Sequence, residues 1–267
     1  MLPLPKGLKL STLEQRSEFY RNEFDIERLK RWLGARLKST VFTAIIGRHT
    51  NIYPEKYKKI KNNTIVIDYI RSLEHLQKYL LQYLPESAYY DRGVYENLER
   101  CRKCRIAYRK CWDCKHFLGQ ELAFDIDPEN VKCPYHGDYT KKMKYQRGLS
   151  FCLYEFNAVK KQTIKLYEKL AKNYSNLKIT YSGRGFHIHV FDKDSYKLGK
   201  KERLKIAREI GKKYVIDEWV TAGEMRLIRL PYSLHGMVSR VCIPVRKAEL
   251  LRFDYRTEKR CLPKFSG

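Results

Sequence analysis

The chain lacks several features that would place it in other classes of protein. No segment approaches the roughly 20 consecutive apolar residues of a membrane-spanning helix, and no secretory signal peptide opens the sequence. Neither an internal repeat nor a long linker interrupts the 267 residues. These absences predict a cytoplasmic protein that is not inserted in a membrane. The length suits one main domain with room for a small satellite.

Acidic residues are scarce relative to basic ones. The 30 Asp+Glu face 55 Lys+Arg, which gives a formal net charge of +25. Such an excess produces a positive field suited to a polyanion, and nucleic acid is the first candidate partner, with an anionic membrane surface as the competitor. A hydrophobic content of 43% and 21 tyrosines are typical of a globular protein rather than of a disordered one.

Local patterns predict alternating helices and strands. Ser11 followed by Glu14 matches a capping box, and the next stretch, to about Lys38, is amphipathic and suits helix in one or two pieces. Ser72 is the predicted N-cap of a leucine-rich helix that Pro85 ends. Short β-branched runs between such helices predict an α/β fold.

Four of the eight cysteines form two C-x2-C pairs, Cys101 with Cys104 and Cys111 with Cys114. In a cytosolic chain, such knuckles favour a structural metal, most simply a zinc ion bound by four thiolates. An iron–sulfur cluster, redox thiols and free cysteines are the alternatives. The knuckles predict a zinc-binding insertion, at about 99–118, on the edge of the α/β domain.

A second metal loop is predicted at about 133–152. Cys133, His136 and Cys152 supply three candidate ligands in a basic segment, and the sequence does not identify a fourth.

The run E-L-A-F-D-I-D-P at 121–128 predicts a buried strand that ends in two acids. Successive side chains of a strand point to opposite faces, so Asp125 and Asp127 share one face while Phe124 and Ile126 enter the core. Two carboxylates roughly 6.5 Å apart repel each other unless a cation lies between them. The pair therefore suits one or two divalent metals, although a bare D-x-D is also common as a solvated strand end.

A glycine-rich turn, S-G-R-G at 182–185, joins two further predicted strands. His187 and His189 alternate with apolar residues along the second strand, and a histidine opposite an apolar face is usually solvated. Here backbone can approach a ligand closely at the turn, and Arg184 offers a forked donor. The turn is a candidate phosphate pocket.

The last candidate residues lie between 214 and 245. Asp217 ends an apolar run and is a natural third carboxylate for the metal site. Arg226 and Arg229 belong to a predicted strand but cannot share a face of it without a bulge, and the ordinary interpretation is a solvated basic face. His235 follows in the segment Y-S-L-H-G.

Taken in order, these motifs resemble the archaeo-eukaryotic primase superfamily, and most closely the small catalytic subunit of archaeal DNA primase. The D-x-D strand, the S-G-R-G-F-H turn and the acid followed by R-L-I-R-L-P-Y-S-L-H carry the resemblance. Supporting stretches are F-Y-R-N-E-F at 19–24, the P…YY…YEN segment at 85–97 and L-G-Q-E at 118–121. The likeness runs from about residue 15 to 245.

The resemblance implies a primase catalytic core, with a mixed sheet flanked by helices, and two sets of site residues. The ligands of catalytic Mg²⁺ or Mn²⁺ are Asp125, Asp127 and Asp217. The side chains that hold the nucleotide phosphates are Ser182, Arg184, His187, Arg229 and His235. Two departures are evident: the turn has one basic residue where some relatives have two, and the zinc module of the family lies mainly after the acidic strand.

The sequence thus predicts a DNA-directed nucleotidyltransferase that makes short RNA or DNA primers on single-stranded DNA by a two-metal mechanism. The implied partners are a single-stranded DNA template, nucleoside triphosphates and a large primase subunit in a heterodimer. One alternative is a repair or translesion polymerase of the same superfamily. The other is a non-catalytic, zinc-bearing nucleic-acid-binding protein.

Overall fold

The structure, a computed structural model, describes residues 4–104, 111–112, 114–144 and 150–266. Its helices are α1 (Leu13–Asn22), α2 (Ile26–Leu33), α3 (Leu73–Tyr83), α4 (Leu98–Lys103), α5 (Tyr139–Lys144), α6 (Leu153–Leu170), α7 (Lys193–Tyr196), α8 (Lys200–Gly211) and α9 (Glu218–Ala222). Its strands are β1 (Phe42–Ile45), β2 (Thr64–Ile67), β3 (Ser87–Asp91), β4 (Gly93–Tyr95), β5 (Phe117–Gln120), β6 (Leu122–Ile126), β7 (Leu177–Tyr181), β8 (Phe186–Val190), β9 (Leu227–Arg229), β10 (Leu234–His235), β11 (Arg240–Val241) and β12 (Ile243–Val245). The predicted α/β class is confirmed.

The helix ends follow local chemistry. Ser72 accepts a hydrogen bond from the backbone of His75 and caps α3, as predicted, and the left-handed Leu84 ends the helix. The capping box of α1 lies one residue later than predicted, since Thr12 and Gln15 form it.

The strands form two four-stranded sheets, in the order β2-β1-β3-β9 and β12-β7-β8-β6, and two short hairpins, β4-β5 and β10-β11. Every strand pairing among the described residues is antiparallel. The mixed sheet of the prediction is therefore replaced by two antiparallel sheets. Strands β9 and β6 are edge strands, and the candidate site lies where these two edges meet.

A buried arginine joins the two sheet edges. Arg92 is 1% exposed, and its guanidinium donates to the carbonyls of Glu121 (2.9 Å), which precedes β6, and of Arg226 (3.3 Å), which precedes β9. The same group reaches the carbonyls of Val220 and Met225 at 2.6 and 2.7 Å. One buried cation thus satisfies four carbonyls and fixes the gap between the sheets.

One hydrophobic core contains buried residues of both sheets and of helices α1, α2, α3, α6 and α8. The cysteine-rich insertion contributes to a separate small cluster, in which Cys101 packs with Val41 and Tyr95 of the main body. The insertion borrows apolar surface from the domain, because so short a segment cannot bury a core alone.

None of the described helices is both long enough and apolar enough to cross a membrane.

Candidate active site

The paired acids lie on β6 and at its end, as predicted. Phe124 and Ile126 are fully buried behind them, because the pleat sends alternate side chains to opposite faces. Strand β6 pairs with β8 so that Asp125 faces His187, whose Nε2 lies 3.4 Å from Asp125 Oδ1. The Oδ1 atoms of Asp125 and Asp127 are buried and have no hydrogen-bond partner among the described residues. Buried, unpaired carboxylate oxygens on one face fit a divalent cation.

The two acids open into a cavity of about 340 Å³. Seven of the eight predicted catalytic and nucleotide-binding residues line it: Asp125, Asp127, Ser182, Arg184, His187, Arg229 and His235. These residues come from both sheets and from the β10–β11 hairpin, so folding gathers them from 111 positions of sequence separation into one wall. Arg226 instead donates to Tyr95 (3.2 Å) on the other side of β9.

Asp217 lies beside the cavity rather than on its wall. Its backbone N–H donates to the carbonyl of Asp125 (2.8 Å), and its carboxylate caps α9 by accepting from the backbone of Trp219 and Val220 (2.8 and 3.4 Å). The expectation that this acid ends a strand of the sheet is wrong, because it begins a helix. Its charge still acts on the pair, since it contributes to the raised pKa values of Asp125 and Asp127.

The glycines of the S-G-R-G turn permit two close approaches. Gly183 has φ +106°, and a Cβ there would lie 2.5 Å from Nδ1 of His235. A Cβ on Gly185 would lie 2.3 Å from Oδ1 of Asp127. Side chains at either position would push the pocket apart, so the turn requires glycine for contact as well as for conformation.

Two guanidinium groups face the acids across the cavity. Arg184 is 6% exposed and pairs with Glu129 (3.1 Å), the second residue after the D-x-D. Arg229 donates to the hydroxyl of Tyr89 (3.1 Å) and lies over its ring, while its Nη1 is buried without a hydrogen-bond partner in the described part of the chain. Fixed cations of this kind suit phosphate oxygens.

The electrostatics of the pair favour a bound cation. Burial, followed by repulsion from Asp127, Asp217 and Glu129, raises the pKa of Asp125 well above its ordinary value. Burial also raises the pKa of Asp127 to about 6, although Arg184 opposes the shift. Both carboxyl groups would ionise more readily beside a divalent metal, which is the behaviour of a metal site without its ion.

The raised pKa of Asp127 predicts a pH-dependent cost. The folded pKa of about 6 exceeds the ordinary value of 3.8, so the contribution to stability is complete below pH 3.8 and is lost as the pH rises through 6. Without added Mg²⁺ or Mn²⁺, Asp127→Asn should therefore raise the free energy of unfolding at pH 8 by about 1–3 kcal/mol, and much less at pH 5. Urea unfolding at the two pH values measures this difference. A variant less stable than the wild type at pH 8 would contradict it.

A second group of donors lies close to the acids in sequence. Cys133, His136, Cys152 and Glu155 each offer a ligand atom, and these atoms all lie within 4.8 Å of one another. The two sulfurs are 3.8 Å apart, and Nδ1 of His136 is 3.1 Å from Glu155 Oε2. Two thiols, an imidazole and a carboxylate form a donor set that zinc accepts. The sequence supplied three of these residues, and the fold supplies Glu155.

The group is held against the acidic strand by a buried lysine. Lys142 is 1% exposed, pairs with Glu155 (2.6 Å) and donates to the carbonyls of Pro128 (2.9 Å) and Val131 (2.5 Å). These carbonyls flank the 3₁₀ turn that follows Asp127. The candidate metal centre and the acids therefore share one short, tightly bonded segment.

The four knuckle cysteines are close, but less so. Each C-x2-C pair closes a turn, in which Cys104 donates to the carbonyl of Cys101 (3.1 Å) and Cys114 to that of Cys111 (2.9 Å). Burial, followed by repulsion from the other three thiols, raises the pKa of Cys101. Among the described residues, the donors that meet the 4.8 Å criterion belong to the Cys133 group and not to these four. Residues 105–110 and 113 of the insertion lie outside the described part.

The cavity also contains residues that sequence reasoning missed. His49, Tyr89, Glu129 and Met237 line it. A signal existed for two of them, because Tyr89 lies in the P…YY…YEN segment and Glu129 follows the D-x-D by two residues. His49 lies in the loop after β1, where its backbone and that of Thr50 donate to the buried Glu86 (3.1 Å each).

The geometry defines a site for a divalent cation and a polyanionic ligand, built on two antiparallel sheets. An "uncharacterized DNA primase small subunit-like protein" of Archaeoglobus fulgidus is 52% identical over 262 residues, which are 98% of this chain and 92% of the relative. The chain belongs to the DNA primase small subunit-like family, and the expected resemblance is confirmed.

More distant relatives are longer than the matched region. DNA primase small subunit PriS of Pyrobaculum calidifontis is 25% identical over 67% of this chain and 66% of its own length. PriS of Pyrococcus furiosus is 27% identical over 73% of this chain and 47% of its own length. The chain thus spans between about half and two thirds of these two PriS proteins.

A solved structure, the polymerase domain of Mycobacterium tuberculosis ligase D in complex with DNA, aligns with 94% of this chain and 88% of that domain, with 12% identity and a TM-score of 0.48. No protein-family model matches the chain.

Proposed function

We propose that this protein is a DNA-directed nucleotidyltransferase of the primase kind, which makes short RNA or DNA strands on a single-stranded DNA template. One observation carries the proposal. In a chain of the DNA primase small subunit-like family, two buried carboxylates with unpaired oxygens face two guanidinium groups across one cavity. A metal-bound triphosphate needs both kinds of group at this separation.

The acids hold the metal. Asp125 and Asp127 present their free oxygens to one point, and Asp217 is proposed as a third ligand through the carboxylate oxygen that does not cap α9. Bound Mg²⁺ or Mn²⁺ lowers the pKa of an attacking hydroxyl and neutralises the leaving pyrophosphate. The carboxylates keep the reacting oxygens in line and exclude bulk water from the floor of the cavity.

The phosphates lie against the cationic wall. Arg184, held by Glu129, and Arg229, held by Tyr89, aim fixed donors at the charge that develops on the triphosphate. Ser182 and His235 line the same wall, as the resemblance implies. Each guanidinium is oriented before substrate arrives, which reduces the reorganisation that binding requires.

The net charge of +25 supplies template binding that is independent of base sequence. A large primase subunit is the proposed protein partner. Because the chain spans only part of the PriS relatives, a surface for that subunit is proposed by family membership alone.

We further propose two structural zinc sites on one catalytic domain, with the insertion at about 99–118 and the metal loop at about 133–152. Cys101, Cys104, Cys111 and Cys114 form the first site. The second site consists of Cys133, His136, Cys152 and Glu155, and its position after the acidic strand matches that of the zinc module in the resembled family. Both sites tie down segments too short to hold a core of their own.

The test is nucleotide incorporation on single-stranded DNA with Mg²⁺ or Mn²⁺, with and without an annealed primer. New strands without a primer support a primase. Extension only from a primer supports the repair or translesion polymerase, and DNA binding without incorporation supports the non-catalytic alternative. Ribonucleotides and deoxynucleotides offered separately determine the substrate.

A further inference from the structure

We infer that His187 is a ligand of the divalent metal, because a buried hydrogen-bonded chain that ends on Glu121 turns the lone pair of its Nε2 toward Asp125. The inference rests on the metal site of the proposed function. It replaces the role that the family resemblance implies for this histidine, since a nitrogen without a proton cannot donate to phosphate.

The chain is anchored on a carboxylate that can only accept. Glu121 is fully buried, pairs with Arg36, and accepts from the hydroxyl of Tyr90 (3.0 Å) and from Nδ1 of His189 (2.7 Å). Burial alone would raise the pKa of Glu121, but Arg36, His189 and Arg92 outweigh it and lower the pKa to about 2. An ionised Glu121 requires that the proton of His189 be on Nδ1.

The remaining bonds then have only one polarity. His189 is fully buried, with the ring of Trp32 against its edge and the ring of Phe191 stacked on it. A neutral imidazole is favoured there, because Arg36 already balances Glu121. Nε2 of His189 is then an acceptor, so the Thr180 hydroxyl donates to it at 3.0 Å.

That donation decides the tautomer of His187. The Thr180 hydroxyl has one proton, which His189 receives, so its oxygen is left to accept from Nδ1–H of His187 at 3.5 Å. Nε2 of His187 consequently carries a lone pair. It lies 3.4 Å from Asp125 Oδ1, and these two acceptors form no hydrogen bond.

A metal ion fits between the two acceptors. Ligands at about 2.1 Å in adjacent octahedral positions are separated by about 3 Å, and the observed separation of 3.4 Å closes to this value with a small side-chain rotation. The antiparallel register of β6 and β8 places the two residues opposite each other. A nitrogen ligand also shifts selectivity, because imidazole favours transition metals over Mg²⁺. The site should bind Mn²⁺ more tightly than Mg²⁺.

The first test reads the tautomer directly. Nitrogen-15 NMR of the histidine side chains is recorded on the full chain without Mg²⁺ or Mn²⁺, and His187→Asn identifies the resonance. We expect a proton on Nδ1 and none on Nε2. A proton on Nε2, which an imidazolium at His189 would impose through Thr180, would overturn the inference.

The second test measures Mn²⁺ binding by the paramagnetic resonance of the free ion. His187→Asn keeps a donor near the Nδ1 position but removes the ligand, and it should weaken Mn²⁺ binding by about tenfold or more. Thr180→Val should weaken it by up to about tenfold, whereas Thr180→Ser retains the hydroxyl and should rescue binding. Thr163→Val is the matched control, since Thr163 is equally buried and donates only within α6, to the carbonyl of Val159 (2.7 Å).

The outcomes separate the inference from the proposed function. If Asp125→Asn abolishes Mn²⁺ binding and His187→Asn leaves it unchanged, the metal site stands and the role of His187 is wrong. If the wild-type chain binds no Mn²⁺, the proposed function fails together with the inference. Should Thr180→Val not fold, the tautomer measurement on the wild type still decides.

Discussion

Asp125→Asn and Asp127→Asn are each expected to reduce metal-dependent nucleotide incorporation by about 10³-fold or more. The amide has the shape of the carboxylate but no charge, so the core behind Phe124 and Ile126 remains intact while the ligand for the metal is lost. DNA binding should persist, because it depends on the basic surface. The measurement is the rate of incorporation at saturating nucleotide, beside a filter-binding assay with single-stranded DNA.

Asp194→Asn is the control for these variants. The carboxylate of Asp194 is 93% exposed on α7, outside the residues that line the cavity, so its loss should leave the rate unchanged. Near-normal incorporation in either active-site variant would remove the metal-site interpretation. An equal loss of DNA binding would instead indicate that the substitutions damage the fold.

Loss of the candidate metal centre at 133–155 should destabilise the chain strongly. Cys133→Ser or Cys152→Ser should remove one bound zinc and lower the midpoint of thermal unfolding by about 10 °C or more. The reason is that the freed donors leave Glu155 and the buried Lys142 without a fixed surrounding, at the turn that follows Asp127. Zinc analysis and thermal unfolding of the purified variants check both parts.

Cys104→Ser distinguishes the two zinc sites. The thiol of Cys104 is exposed in the insertion, so its loss should remove the other zinc while the body of the domain keeps its stability. Two zinc ions in the wild-type chain and one in each variant are the expected counts. A wild-type content below one zinc, with unchanged stability in Cys133→Ser, would exclude a structural metal centre at 133–155.

Local patterns in the sequence were reliable where one strand or one helix turn decides the outcome. The placement of Asp125 and Asp127 on one face follows from the two-residue period of a strand, and Ser72 caps α3 as predicted. The capping box of α1 shows the limit of such patterns. Ser11 and Thr12 both head a matching motif, and tertiary contacts choose between them, since Ser11 Oγ donates to the carbonyl of Gly236 (3.0 Å).

Residues gathered from distant segments were visible only in part. Glu155 was missed as a donor because a carboxylate in the first turn of a helix usually serves as a cap, and it does so here through the backbone of Cys152 (2.7 Å). Asp217 was expected at the end of a strand because an apolar run precedes it. The acid begins α9 instead, since three apolar residues are too few to separate a strand from a loop that packs on β6.

The sequence by itself determined the family, the paired acids and most of the residues that line the cavity, because each of these is encoded in short motifs of fixed spacing. Tertiary structure alone decided the burial and polarity of the histidines. His189 stands opposite the apolar residues of β8, a position that is usually solvated, yet it is fully buried because Trp32 and Tyr90 cover that face. Burial forces each polar atom there to find a partner, and Glu121 determines which atoms donate. That constraint passes between two sheets, so no periodicity along the chain could reveal it.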